Sequence, residues 1–339
     1  MRVRFAGQSV PVPARANMVV HIGDALKVTH PVIASMVCDN VAGIVVLKST
    51  PRNQPVKCLN QPKEGILIGR NGRLIDSRTM SDMALAFPVV LSPRSTKLLD
   101  PLPVLRWTTI SKANSYKVTV RSSEGSWTTT VPAKPGSHTQ EIVYPGSCAP
   151  NQTRDCAPPL KAGGSYKLIV EANGRNSEEE GLPNLGFTLL TVQEAQQVRQ
   201  KTDSIKRLKL SESLKRYMLA SFYANNELNA EAIGILESEP ESQRSPEALR
   251  LLGDLYLKLS LAYRAETVYL NLLSKNLTAR DTPSGRAITQ HSLGEVYEIL
   301  GNTQEAIKHY EEAGRLYRAV KNEDSRKLVE SRLSELRQP

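Results

Sequence analysis

The stretch TQHSLGEVYEILGNTQEAIKHYEEA, residues 289–313, decides the fold of the C-terminal half of this 339-residue chain. Five positions set its pattern: a large apolar residue, a small residue, an aromatic ring, a second small residue and a bulky residue. They are Leu293, Gly294, Tyr297, Ala306 and Tyr310. This spacing predicts two amphipathic helices joined by a turn, in which small residues let the helices approach each other closely.

Two earlier stretches, residues 217–236 and 249–273, repeat the pattern. The matching residues are Leu219, Ala220, Tyr223, Ala232 and Leu236 in the first, and Leu252, Gly253, Tyr256, Ala265 and Tyr269 in the second. The three stretches together resemble the tetratricopeptide repeat (TPR). The resemblance implies an all-α superhelix over residues 211–339, made of three stacked hairpins and a polar capping helix that starts near Asp324.

Arrays of this family bind partners in a concave groove lined by the first helix of each hairpin. Carried over position by position, the resemblance implies partner-binding roles for nine residues: Tyr217, Ser221, Asn225, Arg250, Asp254, Lys258, His291, Glu295 and Glu298. The lysine and asparagine clamp that some members use to hold a C-terminal carboxylate is not reproduced here. The alternative interpretation is that these residues are ordinary solvated helix faces.

Residues 101–192 predict a β-sandwich, because six segments with partial period-2 alternation are separated by turn residues. The runs Leu105-Arg106-Trp107 and Ser115-Tyr116-Lys117-Val118, together with the Leu-x-x-Gly-x-x-Tyr corner at 160–166, resemble an immunoglobulin/fibronectin type III-like domain. Domains of that family are mostly spacers or binding modules. Trp107 and Trp127 are interpreted as core rings, with a carbohydrate-stacking platform as the alternative. Residues 193–210 predict a mostly polar linker helix.

Residues 1–100 predict an all-β region, since short apolar runs are broken by Pro, Gly and Asn. Asn71-Gly72 predicts a type I′ hairpin between 66–68 and 73–75. A phosphate-binding loop is the less favoured interpretation of that stretch, because the lysine and helix of a P-loop do not follow.

Cys38, Cys58, Cys148 and Cys156 are the four cysteines, and their even number and short spacings suit two disulfides, Cys38–Cys58 and Cys148–Cys156. Four free thiols are the alternative, and the spacing argues against a metal site of the zinc type. Paired cysteines favour an extracytoplasmic or periplasmic location with a signal sequence absent from this sequence. A cytoplasmic location is the alternative, because the N-terminus lacks the apolar segment of a signal peptide.

The formal net charge of +10 is concentrated in the first hundred residues but scattered there, so it gives little support to nucleic-acid binding. No apolar run approaches the length of a transmembrane helix. The motifs HExxH, GxSxG and CxxC do not occur, so the sequence favours a non-enzymatic protein without a cofactor.

The sequence therefore predicts a scaffold or adaptor that binds a protein or peptide in the groove of its repeats. The alternative is an envelope- or carbohydrate-binding module on the β domains, with the repeats as an assembly handle. The order of the segments resembles multidomain TPR proteins of cyanobacteria, which have no characterised activity.

Overall fold

The computed structural model describes residues 87–145, 157–180, 185–240, 243–274 and 281–337, together with the backbone of six short strands nearer the N-terminus. Those strands are β1 (Arg2–Arg4), β2 (Val12–Pro13), β3 (Ala25–Lys27), β4 (Ala34–Val37), β5 (Ile44–Leu47) and β6 (Gln54–Pro55). The order β2-β1-β3-β6 forms one sheet, and β4 pairs with β5. The predicted hairpin at Asn71-Gly72 and all four cysteines lie outside the described residues, so the two disulfides stay predictions.

Nine strands form the β unit that the structure describes after residue 87. They are β7 (Val90–Ser92), β8 (Thr96–Leu98), β9 (Val104–Thr108), β10 (Ser115–Ser122), β11 (Gly125–Pro132), β12 (Thr139–Val143), β13 (Ser165–Ala172), β14 (Arg175–Asn176) and β15 (Phe187–Leu189). One sheet has the order β11-β10-β13-β15-β8, with β14 paired to β13, and the other has the order β12-β9-β7. All six strand segments that alternation predicted are present.

The two sheets of this unit share one apolar core. Trp107 of β9 is fully buried and meets Tyr116 of β10 edge to face, with ring centroids 5.5 Å apart. Trp127 is also buried and packs in the same manner on Tyr144 at 5.2 Å. Neither tryptophan is available to stack on a sugar, so the carbohydrate-platform interpretation of these two rings is wrong.

The β unit begins before residue 101, where the sequence placed its boundary. β7 pairs with β9 in the smaller sheet, and β8 pairs in parallel with β15 in the larger one. The chain changes sheets between them, and Arg94 at this crossing is buried. Its guanidinium donates two hydrogen bonds to the carboxylate of Glu180, at 2.8 and 2.7 Å, and one to the carbonyl of Val90.

The predicted linker helix is α1 (Val192–Lys206), and it belongs to the same compact body as the β unit. Its start is fixed by a capping box in which Thr191 and Glu194 satisfy each other's backbone N–H groups. Residues 226–234 also belong to this body, although the repeat pattern assigns them to the first hairpin. The second body includes residues 209–225 and 235–339.

Residues 226–234 cover the edge strand β8 with backbone and side-chain hydrogen bonds. The Lys97 N–H donates to the carbonyl of Glu227 at 2.8 Å, and the Asn229 amide donates to the carbonyl of Ser95 at 2.8 Å. The Leu99 N–H donates to one carboxylate oxygen of Glu231 at 2.7 Å. The other oxygen, Oε2, is buried with no hydrogen-bond partner among the described residues. Burial, assisted by the charge of Asp100, raises the pKa of Glu231 to about 7.

Replacing Glu231 with Gln is expected to remove a pH-dependent part of the stability of this body. Because the pKa is raised on folding, the stabilisation is complete at pH 4 and is lost as the pH rises through 7. A rise from 4.5 to about 7 corresponds to roughly 3 kcal/mol. Urea titrations from pH 4 to 8 should show the decline in the wild type and a flatter profile in Glu231→Gln. If stability changed equally with pH in both proteins, the raised pKa of Glu231 would be contradicted.

Seven further helices make up the described helical part of the chain. They are α2 (Glu212–Asn225), α3 (Asn229–Ser238), α4 (Pro246–Lys258), α5 (Ala262–Leu272), α6 (Pro283–Ile299), α7 (Thr303–Ala319) and α8 (Glu323–Leu336). The predicted capping helix is α8, one residue longer at its start than expected. The N-cap of α6 is Thr282, whose side-chain oxygen accepts a hydrogen bond from the Gly285 N–H.

The pairs α4/α5 and α6/α7 are helical hairpins with close helix contact. A Cβ atom built on Gly253 would lie 2.5 Å from the ring of Tyr269, and one built on Gly294 would lie 2.5 Å from the ring of Tyr310. The glycine of each first helix therefore makes room for the tyrosine of the second helix, as the spacing predicted. None of the described helices is both long enough and apolar enough to span a bilayer.

Candidate functional site

The candidate site is the polar face of the first helices α4 and α6, which contact each other in the second body. Asp254 follows Gly253 on α4, and Glu295 follows Gly294 on α6, so the two carboxylates occupy equivalent positions in consecutive repeats. Burial raises the pKa of Glu295, and the charge of Asp254 adds to that rise. This repetition gives two consecutive first helices an acidic residue at the same position, whereas Lys258, one turn further along α4, adds an exposed cation.

Tyrosine hydroxyls of the second helices hold two of the carboxylates in place. Tyr269 donates a short hydrogen bond to Asp254, and Tyr310 donates one to Glu298. Burial and the adjacent carboxylates raise the pKa of both tyrosines, so these hydroxyls remain protonated donors at neutral pH. The same aromatic side chains that fill the hairpins therefore also orient the acidic groups.

Glu298 has a second partner in the capping helix. Arg332 of α8 donates to both of its carboxylate oxygens, with a distance of 2.9 Å from Nε to Oε1. The bidentate geometry is the one that a guanidinium adopts with a carboxylate. The guanidinium of Arg332 is thus already bound at the end of this face that lies next to α8.

Glu295 has weaker hydrogen-bond and ion-pair partners than Asp254 and Glu298. Its nearest cationic candidate is Nε2 of His291 at 3.8 Å. Burial lowers the pKa of His291 to about 4, so the imidazole is neutral at physiological pH and does not form an ion pair with Glu295. Burial, together with the charges of Asp254 and Glu298, raises the pKa of Glu295 to about 7.

The nine predicted groove residues divide into three groups by exposure. Tyr217, Ser221 and Arg250 are buried. His291, Glu295 and Glu298 are partly exposed, and Asn225, Asp254 and Lys258 are exposed. Their roles in partner binding stay predictions, although the three buried residues present little surface to a ligand.

Arg250 is turned into the body instead of onto the face. Its guanidinium donates to Asp281 at 2.6 Å and to the Thr289 hydroxyl at 3.2 Å. Both members of the ion pair are almost fully buried, so Arg250 connects α4 to the segment before α6. Arg332 is the residue of this site that sequence reasoning missed, because nothing in the repeat pattern connects the capping helix to Glu298.

Within the described residues, no group of His, Cys, Asp and Glu side chains could hold a metal ion. The polar groups on the face are carboxylates, tyrosine hydroxyls, the imidazole of His291, the ammonium of Lys258 and the guanidinium of Arg332. Of these, the carboxylates can form ion pairs with a cationic ligand.

No protein-family model matches the chain, and no curated protein matches it. Among solved structures, it is similar to the TPR-like repeats of a putative kinesin light chain from Podosopora anserina, with 19% identity and a TM-score of 0.29. That match covers 43% of this chain and 86% of the other. It is also similar to MamA, with 17% identity, a TM-score of 0.30, and coverage of 42% and 89%. The glycine–tyrosine packing in α4/α5 and α6/α7 follows the repeated spacing of the sequence.

Proposed function

We propose that this protein is a non-enzymatic scaffold that binds a protein or peptide segment along the first helices of its repeats. The observation that supports this most directly is the equivalent placement of Asp254 and Glu295 on α4 and α6. A periodic row of like groups suits an extended or helical segment whose side chains also recur periodically. We further propose that the β unit is an immunoglobulin/fibronectin III-like sandwich that serves as a spacer, on the support of its two sheets around one core.

The acidic residues at the repeated position, Asp254 and Glu295, favour a segment that carries Lys or Arg. Among the described residues, no charged group is paired with Glu295 at neutral pH, whereas Glu298 already binds the guanidinium of Arg332. A cation brought next to Glu295 would favour its ionised form and release a proton near pH 7. We therefore expect affinity for the segment to increase as the pH rises from 6 to 8.

Selection from a displayed random-peptide library on the full chain tests this function. We expect enrichment of peptides with Lys or Arg, and Glu295→Lys should weaken a selected peptide at least tenfold by calorimetry, since a like charge replaces an attraction. Glu311→Lys, the same change at an exposed position of the second helix α7, is the matched control and should stay within about twofold.

Two results would contradict the proposal. The first is a library that yields no peptide above background, and the second is a selected peptide that binds wild type and Glu295→Lys equally. We also propose an extracytoplasmic location with association with the cell envelope, supported by the even number of cysteines.

A further inference from the structure

The outer edge of β11 differs from the edges that β7, β8 and β12 form in the β unit. β11 is eight residues long, GSWTTTVP, and contains no charged residue. In the described part of the chain, its only strand neighbour is β10, so its other side is an open edge. An open, long and uncharged edge is a template for pairing with another strand.

The remaining edges of the two sheets are protected in ways that β11 is not. Residues 226–234 cover β8 through hydrogen bonds to Lys97 and Ser95. β12 carries the charged Glu141, which pairs with Arg106 of β9, and β7 is three residues long and irregular in its pairing with β9. Charges, short length and irregularity are devices that prevent edge pairing, and a covering segment has the same effect.

The backbone hydrogen bonds between β10 and β11 show which backbone groups of β11 remain for pairing with another strand. Ala133, just beyond the strand, donates its N–H to the carbonyl of Asn114 at 2.9 Å. Because bonded and non-bonded pairs alternate in an antiparallel ladder, the odd-numbered positions of β11 bond inward to β10. The backbone groups of Ser126, Thr128 and Thr130 therefore point outward, and their side chains are exposed.

We propose that two copies of this chain pair through β11, antiparallel and related by a two-fold axis at Thr129. In this register Thr128 lies opposite the partner's Thr130, and Trp127 lies opposite the partner's Val131. Thr–Thr and aromatic–β-branched pairs are favourable across strands. The two sheets then join into one continuous sheet across the axis.

Opposite charges at the two ends of β11 favour a second copy of this chain as the partner at this edge. Glu124 precedes β11 in the turn after β10, and Lys134 follows it. With the axis at Thr129, each Glu124 lies opposite the partner's Lys134, so opposite charges meet at both ends. Glu124 also contacts Lys161 within its own copy, but both side chains are largely exposed, so the carboxylate can accept a second cation.

Sedimentation velocity of the full chain between about 1 and 300 µM tests the proposal. One strand pair is a small interface, so we expect a weak dimer that forms as the concentration rises. Thr128→Lys/Thr130→Lys and Thr128→Glu/Thr130→Glu each place like charges opposite each other, and each should weaken association about tenfold. Mixing the two variants should restore association, because Lys then faces Glu.

Thr119→Lys is the matched control, since Thr119 lies on the neighbouring strand β10 with its hydroxyl 3.0 Å from that of Thr128. It should dimerise as the wild type does, and circular dichroism should show that all variants keep their fold. The proposal is overturned if the wild type stays monomeric at every concentration, or if mixing the folded charge-swapped variants restores nothing. Dimerisation of both variants at wild-type strength would overturn it as well.

Discussion

Replacing Glu180 with Gln is expected to lower the free energy of unfolding of the β unit by about 3–5 kcal/mol, because it leaves the buried guanidinium of Arg94 without a counter-charge. The side chains of Arg94 and Glu180 are 0% and 3% exposed, so water cannot replace the lost partner. The loss is large relative to the 5–15 kcal/mol that stabilises an ordinary domain. Hydrogen exchange in peptides from residues 87–145 should be faster in the variant, because the β unit opens more often.

The neighbouring residue provides the control for this prediction. Glu179 also binds an arginine, Arg175, at 2.6 Å, but that pair lies at the surface. Glu179→Gln removes the same charge one position earlier and should leave the melting curve essentially unchanged. Replacing both buried partners, as Arg94→Met/Glu180→Leu, should recover most of the lost stability. Similar effects of Glu179→Gln and Glu180→Gln would show that burial is not the cause.

The sequence was sufficient to predict the features that depend on local periodicity. The contact of Gly294 with Tyr310 follows from a fixed spacing of small and bulky residues, and the strands β9 to β13 follow from alternation. Both patterns act within one hairpin or one strand. They therefore appear in the sequence without any knowledge of what lies across the fold.

Features that join distant parts of the chain could not be predicted in this way. Arg94 and Glu180 are 86 residues apart, and no periodicity connects them. β7 and β8 are only three residues long and lie in different sheets, so they show no alternation to detect. Residues 226–234 belong with the β unit because Glu231 and its neighbours bond to β8, which a repeat alignment does not reveal.

The sequence predicted the helices that carry the candidate site, but not the surroundings of its side chains. The repeat pattern correctly places Asp254 and Glu295 on first helices. It also assigned Arg250 to the groove, although the side chain turns inward to Asp281. A pattern of residue types gives the helix face only approximately, and a buried partner from another segment determines the final direction of a long side chain.

Gly294→Ala is expected to destabilise the helical body by about 1–3 kcal/mol, although alanine is the better helix former. The new methyl group would lie 2.5 Å from two ring carbons of Tyr310. The ring has little freedom to withdraw, because its hydroxyl is bound to Glu298 and that carboxylate is bound to Arg332. Overpacking therefore outweighs the gain in helix propensity, which is about 0.5–1 kcal/mol.

Gly314→Ala in the same hairpin is the matched control, and it separates packing from propensity. A Cβ atom there would meet only Val329, at 3.8 Å, which is an ordinary contact. The helix is therefore expected to gain stability or remain unchanged. Urea denaturation with hydrogen exchange of peptides from 283–319 gives both values. If Gly294→Ala were as stable as Gly314→Ala, the tyrosine would have room to move, and the close approach of α6 and α7 would not depend on glycine.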